Sequence, residues 1–321
     1  MNPKFKDVNE TGSWGELSRK EVYIAVGVLV AVLVAVVVAV VAVVVTNNNN
    51  NNDTEIVDAP TRSPTQAPTP MPVEEELMIV LDGIGSNPVT ASLLDDLPND
   101  PSFYEGLLSS GGSTTPATPQ QMAMSWLLYE DTIKDPSQST QRWTFASFYF
   151  QTGGGDGTWT SASASTSATE GWLSPTTPVC QWEHISCELN GNLQELDFDS
   201  VNLVADQIPV ELSLLTDVQS ILLQNNQLQG EIDPDVFSVN QLPRLGLLYL
   251  NNNFLTGPIP EGLTQEESGG LHTLYVQNNN LTGTWPIEYC TESLALREFG
   301  LDCDEVTDCV CCSPLNCYYS S

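Results

Sequence analysis

The sequence predicts an α/β fold: a short solenoid of four to five coils with a helical amino-terminal cap and a cysteine-rich carboxyl-terminal cap, carried on a single transmembrane helix. Three observations predict it. LYLNNNFLTGPIP at 248–260 and LYVQNNNLTGTWP at 274–286 write nearly the same thirteen residues 26 positions apart. A run of 24 residues without charge fills 22–45. All eight cysteines lie after residue 179.

Sliding LxxLxLxxNxLxGxIP along the chain gives starts at 193, 218, 245, 271 and 296, which are 25, 27, 26 and 25 apart. That period lies in the leucine-rich-repeat range of about 20–29 residues. The best copies place Leu248, Leu250, Asn253, Leu255, Gly257, Ile259 and Pro260, and then Leu274, Val276, Asn279, Leu281, Gly283, Trp285 and Pro286, in step. The first copy has Val201 where the asparagine belongs, and the last is a fragment, Leu296, Phe299 and Leu301.

The spacing has a physical reading. Each xLxL stretch is a short strand, so Leu248 and Leu250 point inward while Tyr249 and Asn251 point outward. Asn226, Asn253 and Asn279 follow as a structural ladder, their amides satisfying backbone groups that the turn would otherwise orphan. Glycine follows where a side chain would obstruct the bend. One coil cannot bury its own leucines, so the coils over 191–295 stack around a continuous core. On the concave face Leu222, Tyr249 and Tyr275 form an exposed apolar and aromatic stripe flanked by Gln224, Asn251 and Gln277. Tyrosines presented this way bury well at low entropic cost, and the amides orient a ligand.

At these residues the chain resembles the plant-type leucine-rich-repeat receptor-like proteins, whose LxGxIP extension is written here as LTGPIP, LTGTWP and LQGEID. WLSPTTPVCQWEHISC at 172–187 is similar to the amino-terminal cap of that family. The resemblance covers roughly 118–317 and implies several things. Residues 118–190 are a helical cap with Cys180 paired to Cys187, 296–321 are a Cys-rich cap, and its Cys303, Cys309, Cys311, Cys312 and Cys317 together with Cys290 before it staple the last coil. The function implied is cell-surface recognition or adhesion, binding an extracellular protein, peptide or glycan on the concave face. The alternatives are a co-receptor signalling through a partner kinase and an inhibitor of secreted hydrolases, as in the polygalacturonase-inhibitor-like branch. Algal cell-surface leucine-rich-repeat proteins are similar in outline. Pairing among the last six cysteines stays open at 15 connectivities, with zinc as the rival use of the cluster.

The amino-terminal end sets the compartment. As a helix, 22–45 is about 36 Å long and crosses a bilayer core of about 30 Å. Lys4, Lys6, Arg19 and Lys20 precede it, so residues 1–21 are a cytoplasmic tail and 22–45 a signal anchor. The expected location is the plasma membrane, single-pass type II, with the carboxyl-terminal domain extracellular. A tail this short holds no kinase. Gly27, Ala31, Ala35 and Ala39 recur every four residues and offer a dimer contact between spans. An asparagine run and a Pro/Thr-rich stalk fill 46–72. Sequons at Asn52 and Asn280 suit glycosylation outside the cell, where disulfides also form.

Residues 73–117 read as an acidic, partly disordered segment. Apolar positions in 122–132 and 141–152 are spaced as in amphipathic helices that cap the first coil. Residues 153–171 read as a flexible loop. MIVLDGIGS at 78–86 has a glycine pair after an apolar run, but Pro88 stands where a dinucleotide loop needs its third glycine.

Charge completes the reading. The four cations and four anions before residue 46 cancel, so the whole net charge of −32 lies beyond the span. That balance excludes nucleic acid as a partner and permits calcium or cationic partners, for example at DCDEVTD, 302–308. The chain has two histidines and no GxSxG or HExxH. No catalytic residue, cofactor or resident metal is assigned, and the chain reads as a non-enzyme.

Overall fold

The computed structural model describes residues 71–105, 107–108, 117–160, 167–263, 270–290, 296–303, 306–307, 309, 311–312 and 317–318. The chain divides into two units, Met1–Ala67 and Pro68–Ser321, and all described residues belong to the second. The tail, the anchor 22–45 with its Gly27, Ala31, Ala35 and Ala39 stripe, the stalk to residue 70 and the Asn52 sequon lie outside the described residues. Among the described residues no helix is long and apolar enough to cross a membrane.

The segment 73–117, expected to be acidic and partly disordered, opens with a helix, α1, Val73–Ser86, and its residues 106 and 109–116 lie outside the described residues. Leu77, Val80, Leu81 and Ile84 recur at helical spacing and are all buried, while Glu74, Glu75 and Glu76 fall in the first turn, where the helix dipole favours anions. The acidic composition belongs to one end of the helix; the apolar stripe decides its state. The glycine pair within it serves packing, since a Cβ on Gly83 would stand 2.7 Å from Thr140 Oγ1.

Beyond short helical turns at Ala91–Asp96 and Pro101–Tyr104, two longer helices follow. α2, Pro119–Ser125, starts in a capping box of Thr118 and Gln121 and continues into a π-helical turn, Trp126–Glu130. α3, Pro136–Gln151, is capped by Asp135, whose side chain accepts from the Ser137 N–H, with proline at the first helical position. Arg142 of α3 is fully buried, forms a two-point ion pair with Asp131 at 2.5 and 2.7 Å, and sits 5.2 Å from the ring centres of both Trp126 and Trp182.

The loop expected to be flexible, 153–171, is anchored in its described part. Trp159 is 6% exposed and packs edge-on against Phe148 and Trp172. The Thr160 N–H donates to Val201 O at 2.7 Å, and Asn202 Nδ2 donates to Thr158 O at 2.8 Å, so the loop is tied to the first coil. The Ser- and Ala-rich residues 161–166, on which the expectation of a flexible loop rests, lie outside the described residues.

The solenoid carries a seven-stranded sheet: β1, Ile185–Cys187; β2, Leu193–Asp197; β3, Ser220–Leu222; β4, Leu247–Tyr249; β5, Thr273–Tyr275; β6, Glu298–Asp302; and β7, Cys317–Tyr318. β1 pairs with β2 antiparallel and the rest pair in parallel. Inward Leu196, Ile221, Leu248 and Leu274 stand in register and are buried. Shorter strands pair beyond the turn: Val204–Ala205 with Gln227–Leu228, and Thr256–Pro258 with Asn280–Thr284. The motif glycine is required by backbone shape: Gly230 has φ +81°, and a Cβ there would lie 2.8 Å from Asp206 O.

Cys180 and Cys187 form the expected disulfide. Cys290 pairs with Cys311 and Cys309 with Cys312, and Cys303 is disulfide-bonded as well. The sulfurs of Cys290, Cys309 and Cys311 lie within 4.8 Å of one another, but each is committed to a disulfide.

A candidate recognition face on the parallel sheet

The outward positions of successive strands fall in columns. The pairs Asp197↔Leu222, Leu222↔Tyr249, Tyr249↔Tyr275 and Tyr275↔Gly300 place the predicted stripe in one register row. Leu222, Tyr249 and Tyr275 are half-buried rather than fully exposed, because each shields its neighbour. The two tyrosine rings meet edge to face, 4.9 Å between centres.

Two positions on lie Gln224, Asn251 and Gln277. Gln224 and Asn251 are half-buried, but Gln277, expected as a flanking surface amide, is only 7% exposed. The side-chain oxygens of Gln224 and Gln277 are buried without a hydrogen-bond partner. Asn280 of the second sequon is exposed on Asn280–Thr284, a strand of the smaller three-stranded sheet.

Acids crowd the amino end of the face: Glu195, Asp197 and Asp199. Burial, and then the neighbouring Asp197, push the Glu195 carboxyl above its ordinary range. At the strand edge Arg244 is held by Glu188 at 2.6 Å and Asp217 at 3.4 Å.

Beneath the face runs the asparagine ladder. Asn226 Nδ2 donates to Phe198 O at 2.8 Å and Leu223 O at 3.0 Å, while its Oδ1 accepts from the Leu203 N–H at 2.9 Å. Asn253 repeats this with Leu223 O, Leu250 O and the Leu228 N–H, and Asn279 with Leu250 O, Val276 O and the Leu255 N–H. Each amide thus joins its own coil to the one before. The fold is a leucine-rich-repeat solenoid. Within it the first coil has no ladder asparagine, and buried Val201 fills that place.

A second ladder escaped the sequence reading. Asn225, Asn252 and Asn278 adopt left-handed backbone with φ of +60°, +57° and +58°. Their exposed side chains form a chain at 2.6 Å per link: Asn278 donates to Asn252, Asn252 to Asn225, and Asn225 to Asp199. The doublets Asn225–Asn226, Asn252–Asn253 and Asn278–Asn279 were its signal, since asparagine tolerates that conformation better than other side chains.

No described protein family matches the chain, and no curated protein matches it. Among solved structures, it is similar to the BIR3–SERK2 complex from Arabidopsis thaliana at 30% identity, over 40% of this chain and 68% of that one, with a TM-score of 0.35. The BIR2 ectodomain from Arabidopsis thaliana is 24% identical over 45% of this chain and 72% of that one, TM-score 0.34. The HAESA LRR ectodomain from Arabidopsis, in complex with an IDA peptide hormone ligand, is 29% identical over 40% of this chain, which spans only 20% of that one, TM-score 0.34. TM-scores this low add nothing to the fold, which stands on the asparagine ladder.

Proposed function

We propose that the outward face of the sheet is a recognition surface and that the chain is a cell-surface, receptor-like binding protein for an extracellular peptide or protein. The observation that carries this is the register row Leu222, Tyr249 and Tyr275. Large, stiff apolar side chains set in a row on a sheet face suit a ligand better than they suit water. In this reading residues 22–45 anchor the chain in the plasma membrane as a type II protein, with Asn52 and Asn280 glycosylated outside and Gly27, Ala31, Ala35 and Ala39 as the contact of a dimer. The uncharged run and the cysteines that follow it support that topology.

The test is capture of surface or secreted partners by the full chain displayed on cells, with protease protection reporting its orientation. Tyr249→Ala with Tyr275→Ala abolishes capture and leaves the melting temperature almost unchanged. If the double variant loses stability and keeps its partners, the tyrosines serve only to pack the sheet.

A further inference from the structure

An apolar groove opens on the cap beside α1. Met78, Leu81 and Gly85 of α1 form one wall and Leu94, Leu97 and Pro98 the other, around a volume of about 700 Å³. Met78 is 51% exposed there, whereas Leu77, Val80 and Ile84 on the inner side of the helix are sealed against the core. Gly85 keeps the floor open, since a Cβ in its place would stand 3.0 Å from Leu94 Cδ1. The far wall is fixed by buried Tyr104, whose hydroxyl donates to Pro98 O at 2.8 Å. Glu74, Met78, Asp82 and Gly85 fall on one side of α1, at i, i+4, i+8 and i+11, so exposed acids bracket the methionine at both ends. Asp100 and Glu105 join Glu74 around Tyr129, whose hydroxyl is held above its ordinary range by desolvation and then by Glu105, Glu74 and Asp100. None of these four acids is in an ion pair among the described residues.

We infer that this groove docks a basic amphipathic helix of a partner protein, its apolar side chains seated between Met78 and Leu94, its lysines or arginines reaching Asp82 at one end and Glu74, Asp100 and Glu105 at the other. The groove shares no residue with the sheet face, and its occupancy does not depend on that surface. Walls made of helix and turn side chains offer no unpaired strand edge, so the occupant must satisfy its own backbone, which a helix does. α1 is 14 residues long, about 21 Å, so about four turns of a partner lie along it, at the axis separation of about 8–10 Å that a wall without a side chain at Gly85 allows. Apolar contact alone would admit a lipid surface or a second copy of the chain. The acids decide against both: they repel an anionic bilayer, and a second copy brings the same acids against these. A chain with net charge −32 also attracts a cationic partner before contact.

The experiment uses the full chain in phosphatidylcholine nanodiscs at physiological salt, read by fluorescence anisotropy against empty nanodiscs. The probe is a labelled helix of about five turns with leucines at i, i+3, i+4 and i+7 and with lysine and alanine elsewhere. Its controls are the same helix with glutamate for lysine and a scrambled order of the same residues. The basic amphipathic helix binds and both controls do not. Met78→Ser weakens it about tenfold, while Met78→Leu retains it. Asp82→Asn weakens it less and flattens its salt dependence. Melting curves on each variant confirm that the fold persists, and Tyr249→Ala with Tyr275→Ala leaves the affinity unchanged. If Met78→Ser binds the probe as the parent does, attraction is to the general acidic surface and the proposal is overturned. Equal binding of either control overturns it too, as does loss of binding in the tyrosine double variant, which puts the helix on the sheet face. If the chain pairs with itself through Met78 and the probe fails to displace the pair, a second copy fills the groove and the inference falls.

Discussion

Asn226→Leu should cost more than Asn253→Leu, although the two asparagines occupy the same motif position. In Asn253→Leu the Leu228 N–H loses its acceptor, but Leu223 O keeps Asn226 and Leu250 O keeps Asn279 as donors. One buried group is orphaned, at about 1–3 kcal/mol. In Asn226→Leu the Leu203 N–H and Phe198 O both lose their amide partner, because Val201 stands where an earlier ladder residue would help. Two orphans cost about 2–6 kcal/mol, so the variants differ by about 2 kcal/mol, or about 4–8 °C for a domain of this size. Thermal unfolding followed by tryptophan fluorescence reads the difference, since Trp159, Trp172 and Trp182 are buried. Equal losses, or a larger loss for Asn253→Leu, would show that the backbone accounting at the end of the ladder is wrong.

Two other outcomes follow from the cap. Arg142→Met leaves the Asp131 carboxylate buried and unpaired, so urea unfolding should show a loss of about 3–5 kcal/mol, and Asp131→Leu added to it should recover most of that. Glu211 is fully buried where α3 meets the first coil; burial holds its carboxyl above the ordinary 4.5, against the opposing pull of the Gln151 amide and of Gln120 Nε2, which donates to its Oε1 at 2.8 Å. A native value above the unfolded one means that the folded state holds the proton longer, so stability is full below pH 4.5 and falls as pH rises through the native value. Glu211→Gln should flatten that part of the Tm–pH curve, and an unchanged slope would assign it to Glu76, which burial also raises.

What the sequence made legible was whatever repeats. Leu248, Asn253 and Gly257 each do one job in every coil, so the copies vote for the register, and the strands, the ladder and the glycine turns follow. The unrepeated parts were obscure for the same reason. Nothing reinforced the stripe of Leu77, Val80, Leu81 and Ile84 against its acidic neighbours, and no second copy marked Trp159 as an anchor. On the candidate face the row of side chains was readable from period-two alternation. The burial of Gln277 was not, because the same column holds half-buried Gln224 and Asn251 and the motif does not distinguish the three.

The exposed chain from Asn278 through Asn252 and Asn225 to Asp199 has a direction, since every amide gives its proton toward the amino end. A coil duplicated anywhere inside such a row finds a proton to receive and a neighbour to hand one to, so the molecule can lengthen from within. Its amino-terminal end is different. Asp199 only receives, and it halts the sequence of handovers; deleting the coil that carries it would leave Asn225 with nowhere to give.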